Sequence, residues 1–155
     1  MPDVSYTTLH NSTDAPEGPF LMLDDSRRLE EDEKISVREN HLLSIKCIIK
    51  AASSAVNHVN WFIAGDNVTH SSQLLMDYSA QDDNYETQSV LTFNVTKEDH
   101  RKSVICQAKH ISWSRPVSIS ASLNVLCKFS NNIPHFQVLT SQCLSHIRLL
   151  FINLL

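Results

Sequence analysis

Short segments of alternating apolar and polar residues recur along the chain, separated by turn-forming residues. In the clearest one, Val117 to Val125, every second residue is apolar and the residues between are serine or asparagine. The same alternation is seen at residues 42–49, 59–63, 89–96 and 103–108. A period of two is typical of a β-strand with one buried face. Because no convincing amphipathic helix or repeat precedes residue 126, the sequence predicts an all-β fold.

The alternation also predicts which side chains face the core. If Trp61 points inward, Val59 and Ile63 do so too, whereas Phe62 points outward. An outward Phe62 is either a contact for a partner or covered by the following loop, and both interpretations stay open. The other residues predicted to be buried are Leu43, Ile45, Cys47, Ile49, Leu91, Phe93, Val95, Val104, Cys106, Ala108, Ile119, Ala121 and Leu123.

Other parts of the chain have weaker patterns. Residues 1–18 are polar and read as a linker, and Pro19 to Leu23 is a plausible first strand. Residues 24–34 carry charges of both signs, which favours a solvated loop over a cation site, since calcium loops need glycine and a fixed spacing of carboxylates. Residues 68–88 predict one or two short strands on either side of a turn near Asp83.

Composition narrows the class of protein. The 155 residues provide one domain of ordinary size, and 42% hydrophobic residues suffice for a core. The formal net charge is −4, and without a basic stripe nucleic acid is a poor candidate for a partner. Four cysteines in a mostly β chain favour an oxidising compartment.

Three Asn-x-Ser/Thr triplets, starting at Asn11, Asn67 and Asn94, support that compartment, because such triplets are acceptors for N-glycosylation in secreted chains. Asn94 falls on the predicted solvent side of its strand. Chance triplets in a cytosolic chain remain the alternative. The first residues have no basic segment followed by an apolar one, so they are not a signal peptide, and no run reaches the ~20 apolar residues of a membrane span. An extracellular domain without these signals indicates part of a longer, membrane-anchored protein.

Catalysis finds little support in the sequence. Eight histidines are scattered without the spacing of metal ligands, and two glycines cannot form a glycine-rich phosphate loop. The best-placed cysteines belong to predicted core strands and not to a reactive exposed site. We therefore expect a binding module with no catalytic residues, cofactor, metal or small-molecule substrate.

Cys47, Trp61 and Cys106 lie in three of the β-rich segments, and two cysteines separated by a tryptophan are typical of an immunoglobulin sandwich. The chain resembles C2-type domains of this superfamily, as in adhesion receptors of the nectin, nephrin, Kirre-like and Sidestep groups. The similarity covers residues 19–126. The remaining matching segments are Val37 to Glu39, Ser89 to Asp99, Ser103 to Ala108 and Ala121 to Leu126.

The resemblance implies an immunoglobulin-like antiparallel β-sandwich with one inter-sheet disulfide, between Cys47 and Cys106, and with Trp61 in its core. Two buried, reduced thiols are the alternative. Where the usual corner tyrosine would stand, Val104 precedes Cys106 by two residues, as in many adhesion domains of this kind. The glycine usual after Asp99 is replaced by His100 and Arg101, so we expect a strained corner there.

The last residues depart from the family's pattern. After Leu126 the expected linker to a next domain is missing, and Cys127-Lys128-Phe129 can be encoded by TGT-AAG-TTT, which contains the consensus intron start GTAAGT. We therefore expect residues 127–155 to be a non-domain tail of translated intron, in which Cys127 and Cys143 have no evolved role. A genuine short extension is the alternative.

The resemblance favours an extracellular recognition module of a cell-surface adhesion or guidance receptor. Its partner would be a protein, either a homophilic or a heterophilic ligand of the same superfamily. Two other functions compete with it: an intracellular structural domain, and a secreted single-domain binder.

Overall fold

The computed structural model describes residues 15–24 and 27–127. Within these residues the chain forms ten β-strands and two single 3₁₀ turns. The strands are β1 (Glu17–Leu23), β2 (Arg27–Arg28), β3 (Glu33–Arg38), β4 (Leu42–Ala52), β5 (His58–Ile63), β6 (Asp66–Asn67), β7 (Ser72–Ser79), β8 (Asn84–Asn94), β9 (Ser103–Lys109) and β10 (Val117–Leu126). The 3₁₀ turns are Thr69–Ser71 and Lys97–Asp99.

The strands form two five-stranded sheets that pack face to face. The first sheet has the order β2-β1-β4-β8-β7, and the second has the order β3-β10-β9-β5-β6. All neighbouring pairs are antiparallel except β3 and β10, which run parallel. The predicted all-β sandwich of immunoglobulin type, with a disulfide between its sheets, is confirmed. The parallel pair could not be foreseen, because alternation identifies a strand and not its neighbour.

The buried faces follow the alternation of the sequence. In β4, for example, Leu43, Ile45 and Ile49 are at most 6% exposed, and their neighbours Ser44 and Lys50 face solvent. Most of the residues predicted to face inward are buried, and Ile63 and Phe93 are partly buried and packed against the core. The apolar faces of both sheets thus build one core between them.

Two boundaries at the start of the domain differ from the sequence prediction. Strand β1 begins at Glu17, before Pro19, and includes Gly18 at φ 110°. A Cβ atom on Gly18 would lie 2.8 Å from the carbonyl oxygen of Ile48, so only glycine fits this close approach. The charged stretch that was expected to be a solvated loop contains the short strand β2 and the start of β3. Its Leu29 is 1% exposed, and Arg27 forms an ion pair with Glu33 at the start of β3.

The second half of the chain contains two sharp turns without glycine. Asp83, at φ 50°, lies in the turn between β7 and β8. Residues 68–88, where one or two short strands were expected, contain β7 and the first part of the long strand β8. Arg101, at φ 67°, lies in the corner before β9, where the sequence lacked the family's glycine. A non-glycine residue in the left-handed region costs free energy, which agrees with the expected strain.

Candidate functional site

The centre of the sandwich holds the two cysteines and the tryptophan. The Sγ atoms of Cys47 in β4 and Cys106 in β9 are 2.02 Å apart, which joins the two sheets covalently. Trp61 in β5 lies beside Cys106 in the register of the second sheet and is fully buried. Its indole Nε1 donates a hydrogen bond of 2.9 Å to the hydroxyl of Ser89 in the first sheet. This hydrogen bond was not predicted, because nothing in the sequence pairs Ser89 with Trp61.

These residues are structural and not reactive. Both sulfur atoms are oxidised and buried, so neither is available as a nucleophile. Cys127, directly after β10, is also disulfide-bonded. The described part of the chain contains no free thiol.

Two of the three glycosylation triplets lie within the described residues. Asn94 ends β8 on the outer face of the first sheet, opposite exposed Leu42. Asn67 is exposed in β6, and its Oδ1 accepts a hydrogen bond of 3.0 Å from the backbone N–H of Thr69. Both asparagines are open to solvent, as an N-glycan requires. Asn11 lies outside the described residues, and glycosylation at all three positions stays a prediction.

The outer face of the second sheet is a mostly polar surface. Because Trp61 and Cys106 point into the core, the side chains between such positions form this face. Phe62 and Ile105 are half-buried opposite each other at its centre, so Phe62 is neither fully covered nor fully exposed. Polar residues surround this pair: Asn60, Gln107, Ser118, Ser120, Ser122 and Asn124. An apolar centre within a polar rim is a common composition of a protein contact surface.

The β7 edge patch is a second candidate surface, formed by Leu74, Leu75, Met76 and Tyr78. These side chains are 40%, 57%, 54% and 48% exposed, respectively. Strand β7 is the last described strand of the first sheet, and none of the other described strands pairs with its far side. Sequence reasoning missed this patch because the stretch was read only as weak strands. The signal was the run of three apolar residues at positions 74–76, too many for the exposed face of one strand.

A third feature lies at the end of the sandwich, between the loop after β4 and the loop after β9. His110 is 4% exposed, and its Nε2 lies 3.0 Å from the Ser54 hydroxyl. Its Nδ1 accepts a hydrogen bond of 3.1 Å from the backbone N–H of Ser112. The Nε2 contact therefore ties the two loops together, whereas the Nδ1 hydrogen bond lies within the loop after β9. Beside them is an open depression of about 380 Å³, bordered by the 91% exposed Ile111.

Within residues 15–24 and 27–127, no three His, Cys, Asp or Glu side chains are grouped so that they could hold a metal ion. The part of the mixed-charge stretch that is described therefore offers no cation site. In the same residues no helix is long and apolar enough to cross a membrane.

Two titratable groups have shifted pKa values. The hydrogen bond of 2.8 Å from the Tyr78 hydroxyl to the Asp83 carboxylate raises the pKa of Tyr78, and the carboxylate's negative charge adds to the effect. Partial burial raises the pKa of Asp99, but hydrogen bonds from Lys102 and from the amide and hydroxyl of Thr96 outweigh it. The pKa of Asp99 is therefore lowered. Both groups stabilise turns, and neither lies in a catalytic arrangement.

Known proteins resemble this chain at the level of the fold. No curated protein matches it, whereas 684 chains of solved structures do. One of these, "Crystal Structure of Rst D1-D2", is 19% identical with a TM-score of 0.57 over 71% of this chain. The alignment spans 49% of that solved chain, about half its length. At this identity the similarity shows a shared fold alone.

A sequence family also matches. The family described as "Immunoglobulin domain" matches residues 33–119, from the first residue of β3 into β10. The match covers more than half of the chain and includes both cysteines of the inter-sheet disulfide and Trp61. Domains of this kind are typically non-enzymatic modules of protein–protein interaction. The chain belongs to the immunoglobulin domain family.

Proposed function

We propose that the chain is an extracellular recognition module of a cell-surface adhesion or guidance receptor, and that it binds a protein partner. The extracellular location is supported by one observation: Asn67 and Asn94 are exposed on a domain whose two sheets are joined by a disulfide. Disulfides persist in oxidising compartments, and N-glycans are added only to chains that enter the secretory pathway. Each feature alone is weak support, but both require the same compartment.

The architecture supports a role in protein binding and not in catalysis. The core is closed by a covalent link between the sheets and by the hydrogen bond from Trp61 to Ser89. Both outer faces of the sandwich are therefore held as stable surfaces. The centre formed by Phe62 and Ile105, with its polar surroundings, has the composition of a protein contact. Asn67 lies opposite Phe62 on this face, so a glycan there would border the contact on its β6 side and leave the β9 and β10 side open. A rigid scaffold with such a surface can bind a partner without a large entropic cost of ordering.

The closer resemblance, to domains of nectin, nephrin, Kirre-like and Sidestep proteins, belongs to this proposal. It is supported by Val104, which stands where many immunoglobulin domains have the corner tyrosine and is fully buried. The parent protein would be membrane-anchored and would present this domain at the cell surface. Its ligand would be a protein of the same superfamily, in a homophilic or heterophilic pair.

The domain limits are also proposed. The sequence prediction places the domain at residues 19–126, with a linker over 1–18 and a tail over 127–155; because β1 begins at Glu17, we propose a domain start two residues earlier. The last strand, β10, ends at Leu126, which supports the C-terminal limit. Sequencing the mature transcript across the codons for 126–129 tests this. A transcript that passes from Leu126 into another domain supports the limit, and one that reads through to Leu155 favours a secreted single-domain binder.

The location is tested on the native protein, detected with an antibody raised against the folded domain. We expect it at the surface of intact cells, with a mass that falls on treatment with an N-glycosidase. Labelling of thiols under denaturing conditions should leave Cys47 and Cys106 unmodified until a reductant is added. A native chain without glycan and with both thiols free would contradict the proposal and favour an intracellular structural domain.

The binding role needs its own measurement. The glycosylated chain, immobilised on beads, should capture a glycoprotein with immunoglobulin domains from the surface of labelled cells. A Phe62→Arg variant places a charge at the centre of the outer face and should weaken this capture at least ten-fold. The control, Leu42→Arg, alters an exposed apolar residue of the other sheet. Equal capture by wild type and Phe62→Arg would show that the outer face of the second sheet is not the contact.

A further inference from the structure

We propose that β7 is a self-association edge. In this arrangement the β7 strands of two copies of the chain pair antiparallel about a two-fold axis at Leu75. The pairing would join the two first sheets edge to edge into one continuous sheet. It rests on the proposed function, for which it names one partner, a second copy, and the surface that binds it.

The first support is that, within residues 15–24 and 27–127, β7 lacks the usual protection of an edge strand. An edge strand has unpaired backbone N–H and C=O groups along its free side. Proteins normally prevent other chains from pairing there with a lysine, a proline, a bulge or a covering segment. Strand β7 is eight residues long, contains neither lysine nor proline, and pairs with β8 without a register shift. At the other end of the same sheet, β1 contains Pro19, and β2 pairs with its last two residues. The two edges of this sheet therefore differ in how well they are protected from pairing with another chain.

The second support is the position of the apolar side chains. Leu74 and Met76 lie opposite Ser89 and Thr87 of β8, two buried residues of the inner face, and so they point to the same side as the core. They remain exposed because β6, the edge strand of the facing sheet, is only two residues long. The inner face of β7 thus extends beyond the sheet that covers the rest of the core. A second copy would place its own Leu74 and Met76 beside these side chains.

The third support is that the strand complements itself in this register. With the axis at Leu75, the two Leu75 side chains face each other, Leu74 lies opposite Met76 of the second copy, and Gln73 lies opposite its Asp77. Asp77 is the strand's one charged residue, and a glutamine amide can donate a hydrogen bond to its carboxylate. Cross-strand pairs of this kind stabilise antiparallel sheets. An axis at Asp77 would instead oppose two carboxylates.

The glycans predicted at Asn67 and Asn94 do not point at this edge. Asn67 lies opposite Phe62, so its side chain belongs to the outer face of the second sheet. Strand β7 pairs with β8 from Asn84 to Leu91, and Asn94 lies beyond the last of these pairs. In addition, the side chain of Asn94 belongs to the outer face, opposite Leu42, whereas Leu74 and Met76 belong to the inner face. A glycan on Asn94 would leave the unpaired side of β7 accessible.

Such an interface is small. Stable specific complexes bury about 1,200 Å² or more, and a single pair of eight-residue strands contributes less than this. We therefore expect association in the range of tens to hundreds of micromolar. Where two membranes face each other, many copies are held at high effective concentration, and weak contacts of this strength become occupied. Because the paired strands run antiparallel, the ends of the two domains at Leu126 point in opposite directions, so the contact fits copies on facing membranes.

Sedimentation velocity of the full glycosylated chain, from about 10 μM to 1 mM, tests the proposal. We expect a monomer–dimer equilibrium in the wild type. Leu75→Lys places two ammonium groups opposite each other at the axis and should raise the dissociation constant at least ten-fold. The matched control is Leu42→Lys, an exposed apolar residue of the same sheet, which should dimerise as the wild type does. Equal thermal unfolding curves of the three proteins confirm that each is folded.

A gain of affinity tests the register. Gln73→Lys places a lysine opposite Asp77 of the second copy at two symmetric positions, so the dissociation constant should fall about three-fold or more at low salt. Raising the salt concentration to about 0.5 M should remove this gain, because exposed ion pairs are screened. A dimer that is weakened by Leu75→Lys but unaffected by Gln73→Lys would overturn the register with its axis at Leu75.

Hydrogen exchange identifies the occupant of β7. Amides of β7 that point away from β8 should exchange fast at low concentration and become protected as dimer forms. A chain that is monomeric up to 1 mM overturns the inference. Protection of the β7 amides that does not depend on concentration overturns it too, because another segment of the same copy would then cover the strand. A monomeric chain would leave the proposed extracellular function intact, because that function is tested separately by the glycosylation of the native protein. Conversely, a native chain that carries no glycan but forms the dimer would overturn the proposed function and support the β7 contact.

Discussion

Strands β4 and β7 flank β8 in the same sheet, and both are rich in apolar residues, yet their side chains have opposite fates. In β4, Leu43, Ile45, Cys47 and Ile49 are all buried. In β7 the burial pattern shows no buried residue, although Leu74, Leu75 and Met76 follow one another. Consecutive apolar residues therefore do not by themselves ensure that a strand is buried.

What differs is the facing sheet. Strand β4 lies across from β9, to which the disulfide joins it, and its inner side chains meet the core of the second sheet. Strand β7 lies across from the end of the second sheet, where β6 stops after two residues. Burial of an apolar side chain therefore depends on whether a strand of the other sheet faces it. Which strands face each other is set by the topology of the whole domain.

The largest effect is expected from cutting the link that fixes β4 to the second sheet. Cys47→Ala combined with Cys106→Ala removes the disulfide and leaves no lone thiol at either position. The bond closes a loop of about 60 residues, and its loss should lower the free energy of unfolding by about 4 kcal/mol. Since domains of this size are stable by about 5–15 kcal/mol, much of the total would be lost.

Urea denaturation at pH 7 measures this loss against a control on the same strand. Ser44→Ala changes an exposed residue of β4, so it should alter the free energy of unfolding by no more than about 0.5 kcal/mol. A double alanine variant as stable as the wild type would mean that packing alone holds β4 in place.

The second effect compares the two strands directly. Ile45→Ala in β4 leaves a cavity in a fully buried site and should cost about 3 kcal/mol. Met76→Ala in β7 removes a side chain that is 54% exposed and should cost less than about 1 kcal/mol. Both free energies come from urea denaturation at a concentration well below the expected dimer dissociation constant. Similar costs at the two sites would refute the contrast between these strands.

The third effect concerns Ser89 of β8, which lies between the two strands, opposite Cys47 on one side and Leu74 on the other. Ser89→Ala leaves the buried Nε1 of Trp61 without an acceptor, so it should cost about 2 kcal/mol. In a Trp61→Phe background there is no such donor, and Ser89→Ala should then cost less than about 0.5 kcal/mol. A double-mutant cycle from urea denaturation measures this coupling. Equal costs in both backgrounds would show that the hydrogen bond does not contribute.

The sequence predicted the parts of the fold that depend on local pattern. Alternation identified the inward residues of β4, β5, β9 and β10, because a strand with one buried face must place apolar side chains at every second position. It also placed Asn94 on the solvent side of β8, where the structure has it. The spacing of Cys47, Trp61 and Cys106 then indicated the architecture.

The parts that could not be predicted depend on contacts between distant residues. The parallel pairing of β3 with β10, the acceptor of the Trp61 indole and the exposure of β7 all follow from the order of the strands. A strand that ends a sheet looks the same in sequence as one in its middle. The β7 edge patch was therefore overlooked, although its three consecutive apolar residues are unusual for an edge.

The smallest effect is expected at the corner where β8 continues into β9, which connects the sheet of β4 and β7 to the facing sheet. There the carboxylate of Asp99 accepts hydrogen bonds of 2.9 Å from the amide of Thr96 and from the Lys102 ammonium. Partial burial opposes the ionised form, but these bonds outweigh it and lower the pKa of Asp99 in the folded chain. Asp99→Asn removes the charge and should cost about 1 kcal/mol at pH 7, as the loss of a capping side chain does.

The pH dependence identifies the charge as the cause. A carboxyl whose pKa is lower in the folded chain stabilises it above the unfolded pKa of about 3.9, and this contribution is lost as pH falls through the folded pKa. The difference between wild type and Asp99→Asn should therefore be largest at pH 6–7 and shrink below about pH 4. Urea denaturation at pH 7 and at pH 3 measures this difference in the free energy of unfolding. The control is Glu98→Gln, which removes a charge from the exposed neighbouring residue. A difference that is the same at pH 7 and pH 3 would show that shape, not charge, stabilises this corner. The connection between the sheets would then depend on the disulfide and the core alone.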